Sequence, residues 1–298
     1  MQNISRRHFI KSSAGAAALS MTLPAVAANK NHFLGPVELG ATGVKVSRLA
    51  FGTGTHGSEQ RSKQTRLGTK EFVDLAQHCF DSGIRLFDMG DTYGSHPFVR
   101  EALKEIPREK MTLLTKIWTR PSSWAQFTTA QKAVDRFRQE LNVDTIDIVM
   151  IHCMVRPNWP DHYARVCDGL SELRERGVIR TFGVSCHSYP ALVAAVQSKW
   201  TEVILARINN TGTLMDHLPD KVAPLLKQAR ENGKGIIGMK IYGGGKTREE
   251  EQRENSLQFV WNSGAVDATT IGFAKPEEVD DTLKRMQRIV PAALKLKG

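Results

Sequence analysis

Eight short β-rich runs alternate with amphipathic segments between Arg48 and Gly272, and this alternation points to parallel strands joined by crossover helices. The runs are Arg48–Gly52, Ile84–Asp88, Met111–Lys116, Ile146–His152, Arg180–Ser185, Val203–Asn209, Gly235–Lys240 and Ala268–Gly272. Between them, apolar residues at helical spacing mark residues 71–79, 129–141, 162–176, 192–198 and 221–231, with Gly83, Gly177 and Gly233 where helices stop. The run from Ile146 to Ile151 is almost continuously apolar, as suits a strand covered on both faces. Eight such units in roughly 240 residues fit a closed barrel. An open doubly wound sheet would be expected to carry GxGxxG directly after its first strand; Gly52-Thr53-Gly54-Thr55-His56-Gly57 has a different spacing and no clear helix behind it. Ahead of the first run, residues 37–46 with Thr42-Gly43 at their centre read as a hairpin placed to plug the barrel floor. The predicted fold class is α/β, a (β/α)8 TIM barrel with an N-terminal β-hairpin, forming one domain over residues 28–298.

The N-terminus carries a separate signal. Ser5-Arg6-Arg7-His8-Phe9-Ile10-Lys11 precedes a small and apolar stretch from Ala14 to Met21 and then Ala25-Val26-Ala27, the order of a cleaved leader, so residues 1–27 are read as a signal peptide. The paired arginines ahead of Phe-Ile-Lys resemble the twin-arginine export signal, a receptor-read address. That resemblance implies periplasmic delivery of a folded chain, with the twin-arginine export machinery as a partner. The stretch from Ser12 to Ala28 is too short and too rich in Ala, Ser and Gly to span a bilayer, so no stable membrane anchor is expected.

The formal charge is +10, or +7 without Arg6, Arg7 and Lys11. Such a balance suits nucleic acid, an anionic membrane or a phosphate-bearing cofactor, and clustering separates the three. Basic residues are interleaved with acids, as in the stretch from Glu101 to Lys110, and no basic run of five occurs; no nucleic-acid partner is expected. The four cysteines, 79, 153, 167 and 186, lack the dense spacing of a disulfide scaffold.

In a (β/α)8 barrel the site is built at the C-terminal strand ends. Here consecutive runs end in Asp88, Lys116, His152 and Ser185, and the loop after the second carries Tyr93. A phenol titrates near pH 10, so an adjacent ammonium such as Lys116 would make it a better acid. A carboxylate such as Asp88 would keep a buried lysine charged, and His152 could hold a carbonyl oxygen beside Tyr93.

These residues resemble the aldo-keto reductase family. The resemblance is carried by Phe87-Asp88-Met89-Gly90-Asp91-Thr92-Tyr93-Gly94, Leu114-Thr115-Lys116, the strand from Asp147 to His152, and the segment from Gly177 to Ser185. It implies reduction of a small aldehyde or ketone by hydride from bound NADP, with NAD possible, using Tyr93 as acid, Lys116 and Asp88 as its tuners and His152 to position the carbonyl. No metal is implied. The cofactor candidates are Thr53, Ser185, Lys240, Gly243, Gly244, Gly272, Phe273, Ala274, Glu278 and Asp281. The sequence departs from the family at Cys186, where Asn is usual after the serine, and in Leu205-Ala206-Arg207-Ile208, where a glutamine is expected. Lys240 stands at the stacking tyrosine, with Tyr242 nearby, and Glu278 replaces the arginine that would clamp a 2′-phosphate. NADPH against NADH therefore stays open, as does an alternative function as a nicotinamide-binding redox sensor or binding protein with little turnover.

Cys153 and Cys186 follow strand-end residues, yet neighbouring side chains on a strand point opposite ways, which disfavours joint ligation of a metal by His152 and Cys153. Trp118, Trp124 and Trp159 are candidates for pocket lining or for core packing. Substrate identity and oligomeric state are not legible in the sequence.

Overall fold

The computed structural model describes residues 31–124, 127–247 and 249–295. The leader read over residues 1–27 lies outside the described residues. No helix among the described residues is long and apolar enough to cross a membrane.

Strands β1 (Val37–Glu38) and β2 (Lys45–Val46) pair antiparallel as the expected hairpin. The eight runs become β3 (Leu49–Gly52), β4 (Leu86–Asp88), β5 (Thr112–Ile117), β6 (Ile146–Met154), β7 (Ile179–Cys186), β8 (Val203–Arg207), β9 (Gly235–Met239) and β10 (Ala268–Ile271). They pair in sequence order, and β10 closes the barrel by pairing parallel with both β3 and β9.

Around the barrel stand α1 (Thr69–Asp81), α2 (His96–Ala102), α3 (Ala130–Leu141), α4 (Trp159–His162), α5 (Ala164–Glu175), α6 (Tyr189–Gln197), α7 (Pro219–Glu231), α8 (Glu250–Asn262) and α9 (Pro276–Lys295). Local chemistry sets their ends. The Thr129 hydroxyl accepts from the Lys132 amide at 3.2 Å and starts α3, and Ser188 does the same for α6 through Ala191. Pro219 and Pro276 occupy first-turn positions that need no amide hydrogen. Gly83, Gly177 and Gly233, at φ 95, 71 and 85, take the left-handed turns that follow α1, α5 and α7.

Strand alternation divides the core in two. Phe51, Phe87, Val149, Ile151 and Phe182 face the helices, while Ala50, Leu86, Leu114, Ile148, Met150, Val203, Leu205, Ile237 and Ala268 fill the barrel with Leu39, Val44 and Val46 of the hairpin. The hairpin seals the floor by close backbone approach: a Cβ on Gly235 would lie 2.6 Å from Leu39 Cγ, and the Ala41 amide donates to the Gly233 carbonyl at 2.8 Å. The same parity continues upward from this apolar filling to Asp88, Lys116, His152, Ser185, Arg207 and Thr270, so the polar residues gather at the mouth.

Candidate active site

Lys116 is 1% exposed and ion-paired with Asp88, itself 6% exposed. Its Nζ also donates to the Met89 carbonyl at 2.6 Å and lies 4.8 Å from the centre of the Tyr93 ring. The other Asp88 oxygen accepts from the Thr270 hydroxyl at 2.8 Å, so β10 braces the carboxylate from the far side of β3. His152 is 5% exposed and meets the Tyr93 ring edge-on, its Nε2 3.4 Å from the phenolic oxygen. Asp91, two residues before Tyr93, ties that loop to α3 by accepting from Arg136 at 2.8 Å. The expected quartet of Tyr93, Lys116, Asp88 and His152 is therefore brought together by four different segments of the chain.

The electrostatics follow from burial. Burial opposes the charge on Lys116, but Asp88 and Tyr93 more than offset it and hold its pKa above the ordinary value. For Tyr93 burial wins: the phenol is pushed up, with Lys116 pulling against it, and stays protonated at neutral pH. This reverses the net direction expected from the sequence, because the environment that buries Lys116 buries the phenol too. Burial and the Lys116 charge, with His187 and Arg120 behind them, press His152 well below the usual imidazole range, so it is neutral.

Two chambers open onto this cluster. One, of about 540 Å³, runs past Lys63, Lys240, Gly244, Gly245, Gly272, Phe273, Lys275, Glu278 and Asp281, with Asp88 and Tyr93 in its wall. The other, of about 310 Å³, is walled by Trp118, Trp124, His152, Cys153 and His187 with Tyr93 and Lys240. Of the cofactor candidates, Lys240, Gly244, Gly272, Phe273, Glu278 and Asp281 line the larger chamber, whereas Thr53, Ser185, Gly243 and Ala274 do not. Thr53 is fully buried and spends its hydroxyl on the Asp88 carbonyl and Ser95. The Ser185 hydroxyl accepts from the Cys153 amide at 2.8 Å, stabilising a left-handed residue (φ 67) at the irregularity in β6. The Ala274 amide donates to the Glu278 carboxylate at 2.7 Å, and Asp281 is held by Arg285. Cys153 and Cys186 are free thiols, Cys186 facing away from the mouth toward the Ala191 carbonyl.

Four contributors were missed in the sequence. Thr270 was findable, since it shares the inward parity of Ala268. Arg207 needed the strand register, which pairs it with Met239 and turns it inward like Val203 and Leu205; it is the residue at the mouth end of β8 where glutamine was expected. Arg207 engages Asp216 at 3.2 Å and His187, and these partners come from loops with no pattern of their own.

Such a molecule is a closed parallel barrel with an ionisable cluster at the strand ends beside an elongated groove. The chain belongs to the aldo/keto reductase family, whose profile matches residues 48–292. It is similar to an aldo-keto reductase of Mycobacterium avium, 29% identical over 138 residues, or 44% of this chain. That match spans only 45% of the relative's length. It is also similar to the NADH-specific methylglyoxal reductase of Escherichia coli, 26% identical over 66% of this chain and 64% of that one. Among solved structures, the aldo/keto reductase of Klebsiella pneumoniae in complex with NADP and acetate shares the fold, with a TM-score of 0.62 at 14% identity over 88% of this chain and 95% of that one.

Proposed function

We propose that this chain is an exported NAD(P)H-dependent reductase of aldehydes or ketones in which Tyr93 is the proton donor. One observation carries the reading: a lysine with almost no solvent contact is kept charged by Asp88 beside a half-buried phenol that faces both chambers. Holding a desolvated ion pair at a barrel mouth is costly, and such strained pairs concentrate where chemistry is done.

The larger chamber suits a dinucleotide. Gly244 and Gly245 adopt φ of 67 and 91, giving a backbone that can approach a pyrophosphate, and Lys63 and Lys275 supply positive charge along the wall. When bound, the nicotinamide supplies hydride to the carbonyl carbon. Neutral His152 directs Nε2 toward the position of the carbonyl oxygen and orients it. Tyr93 delivers its proton to that oxygen as charge develops, Lys116 stabilises the phenolate left behind, and Asp88 keeps Lys116 protonated throughout. The solved relative with NADP and the NADH-specific relative support either dinucleotide. NADP is the preferred assignment with NAD possible, since Lys275 lines the same wall as Glu278 and the Glu278 carboxylate accepts from the Ala274 amide.

Consumption of NADPH or NADH with a panel of aldehydes tests this reading. Tyr93→Phe is expected to lower kcat at least 100-fold while still binding dinucleotide; turnover equal to wild type removes Tyr93 from the chemistry. Mass spectrometry of dinucleotide released from the purified protein identifies the cofactor form. For export, the support is the Arg6-Arg7 leader pattern; Arg6→Lys with Arg7→Lys is expected to retain the protein in the cytoplasm, and unchanged periplasmic recovery would contradict it.

A further inference from the structure

Among the described residues, only Gly54, His56, Tyr93 and Lys240 line both chambers, so Lys240 stands at their junction together with the phenol. It follows β9 with φ 61, a left-handed conformation that strains a lysine and persists where the surroundings demand it. Among the described residues its ammonium has no hydrogen-bond or ion-pair partner. The neighbouring cations are all engaged: Lys116 with Asp88, Arg207 with Asp216 and His187, and Arg120 with the Cys153 carbonyl at 2.5 Å. Glu59, the acid in the smaller chamber's wall, is exposed and accepts from Ser123 at 2.9 Å. The junction therefore holds an ammonium with no direct partner among the described residues. Burial, then Arg207 and Lys116, lower the Lys240 pKa, and Asp88 only partly opposes them.

We propose that the smaller chamber selects carbonyl compounds bearing a carboxylate close to the carbonyl, with the carboxylate received by Lys240. This rests on the reductase reading, in which the carbonyl oxygen lies between Tyr93 and His152. A carboxylate on a nearby carbon then falls on the wall that Tyr93 shares with Lys240, and it supplies the anion that the junction lacks.

Binding and turnover separate the two readings. With the dinucleotide-loaded protein, quenching of tryptophan fluorescence reports the chamber walled by Trp118 and Trp124. Oxamate, a non-reducible carboxylate probe, is expected to bind at least tenfold more tightly than neutral oxamide. Lys240→Met should abolish that preference and Lys240→Arg restore it, and the ratio of kcat/KM for glyoxylate to that for methylglyoxal should follow the same order. Equal binding of the two probes by wild type overturns the proposal, as does a preference that survives in a folded Lys240→Met protein. A preference for glyceraldehyde 3-phosphate over glyceraldehyde without one for oxamate overturns the carboxylate assignment. Lys240-dependent oxamate binding without turnover of any carbonyl sinks the reductase reading and leaves only the carboxylate site of this one standing.

Discussion

The Tyr93 ring is fixed by what is missing around it. A Cβ on Gly54 or Gly57 would fall 2.3 Å from ring carbons, and one on Gly90 would fall 2.9 Å away. No side chain fits these approaches, so the glycines act as a mould for the ring and, through it, for the hydroxyl. Gly57→Ala is expected to displace the phenol and lower kcat at least tenfold while thermal stability falls by only a few degrees; unchanged kcat would show that the loop simply yields. Asp88, Lys116 and His152 were legible in the sequence because each ends a strand run, and strand ends define the mouth. Thr53 and Ser185 stand at comparable positions, yet both hydroxyls are consumed by neighbouring backbone or side chains. Position along a strand is thus readable from sequence, whereas the partner a short hydroxyl selects depends on loops that arrive from elsewhere. The glycine mould was equally hidden, since the glycines from Gly52 to Gly57 were read only for their mismatch with a dinucleotide turn.

At the scale of elements, the hairpin is the part most exposed to a packing test. Leu39 is fully buried where β1 meets the barrel interior, against Gly235 and under the first layer of inward side chains. Leu39→Ala should cost about 2–5 kcal/mol by leaving a void that a ring of β-strands cannot close. Denaturant unfolding would show this, and a loss below about 1 kcal/mol would mean that the floor is loosely packed. All eight barrel strands were legible to within two residues at each end, because buried parallel strands are continuous apolar runs. Helices α8 and α9 carry no clear mark in the sequence. The first of them, Glu250–Asn262, opens with a charged stretch and buries only Ser256, Leu257, Val260 and Trp261, a weak helical pattern. The second begins at Pro276, inside the segment that was read for its cofactor residues. Gly243 and Ala274 do not line the groove, whereas their neighbours Tyr242, Gly244, Phe273 and Lys275 do.

For the whole molecule, the mouth should impose a pH dependence on stability. Burial holds His152 well below its ordinary range and His187 down at about 3, so both bind a proton more readily unfolded than folded. Stability from these histidines is complete above about pH 6.5 and declines as pH falls, by up to about 1.4 kcal/mol per pH unit for each. Asp216, raised to about 6 chiefly by burial, acts in the opposite sense and offsets one histidine between about pH 6 and 4. The net expectation is a Tm that drops from pH 7 to pH 4.5, with a smaller drop in His187→Asn; a Tm that rises over that interval would contradict the buried, neutral state of both imidazoles.

The most direct measurement follows the hydride itself. NADPH deuterated at the transferring position of C4, incubated with the protein and a reducible aldehyde, should yield alcohol carrying one deuterium on the carbinol carbon, and Tyr93→Phe should form almost none. Alcohol without deuterium, or labelled alcohol formed equally fast without the Tyr93 hydroxyl, would contradict direct transfer to a carbonyl protonated by this phenol.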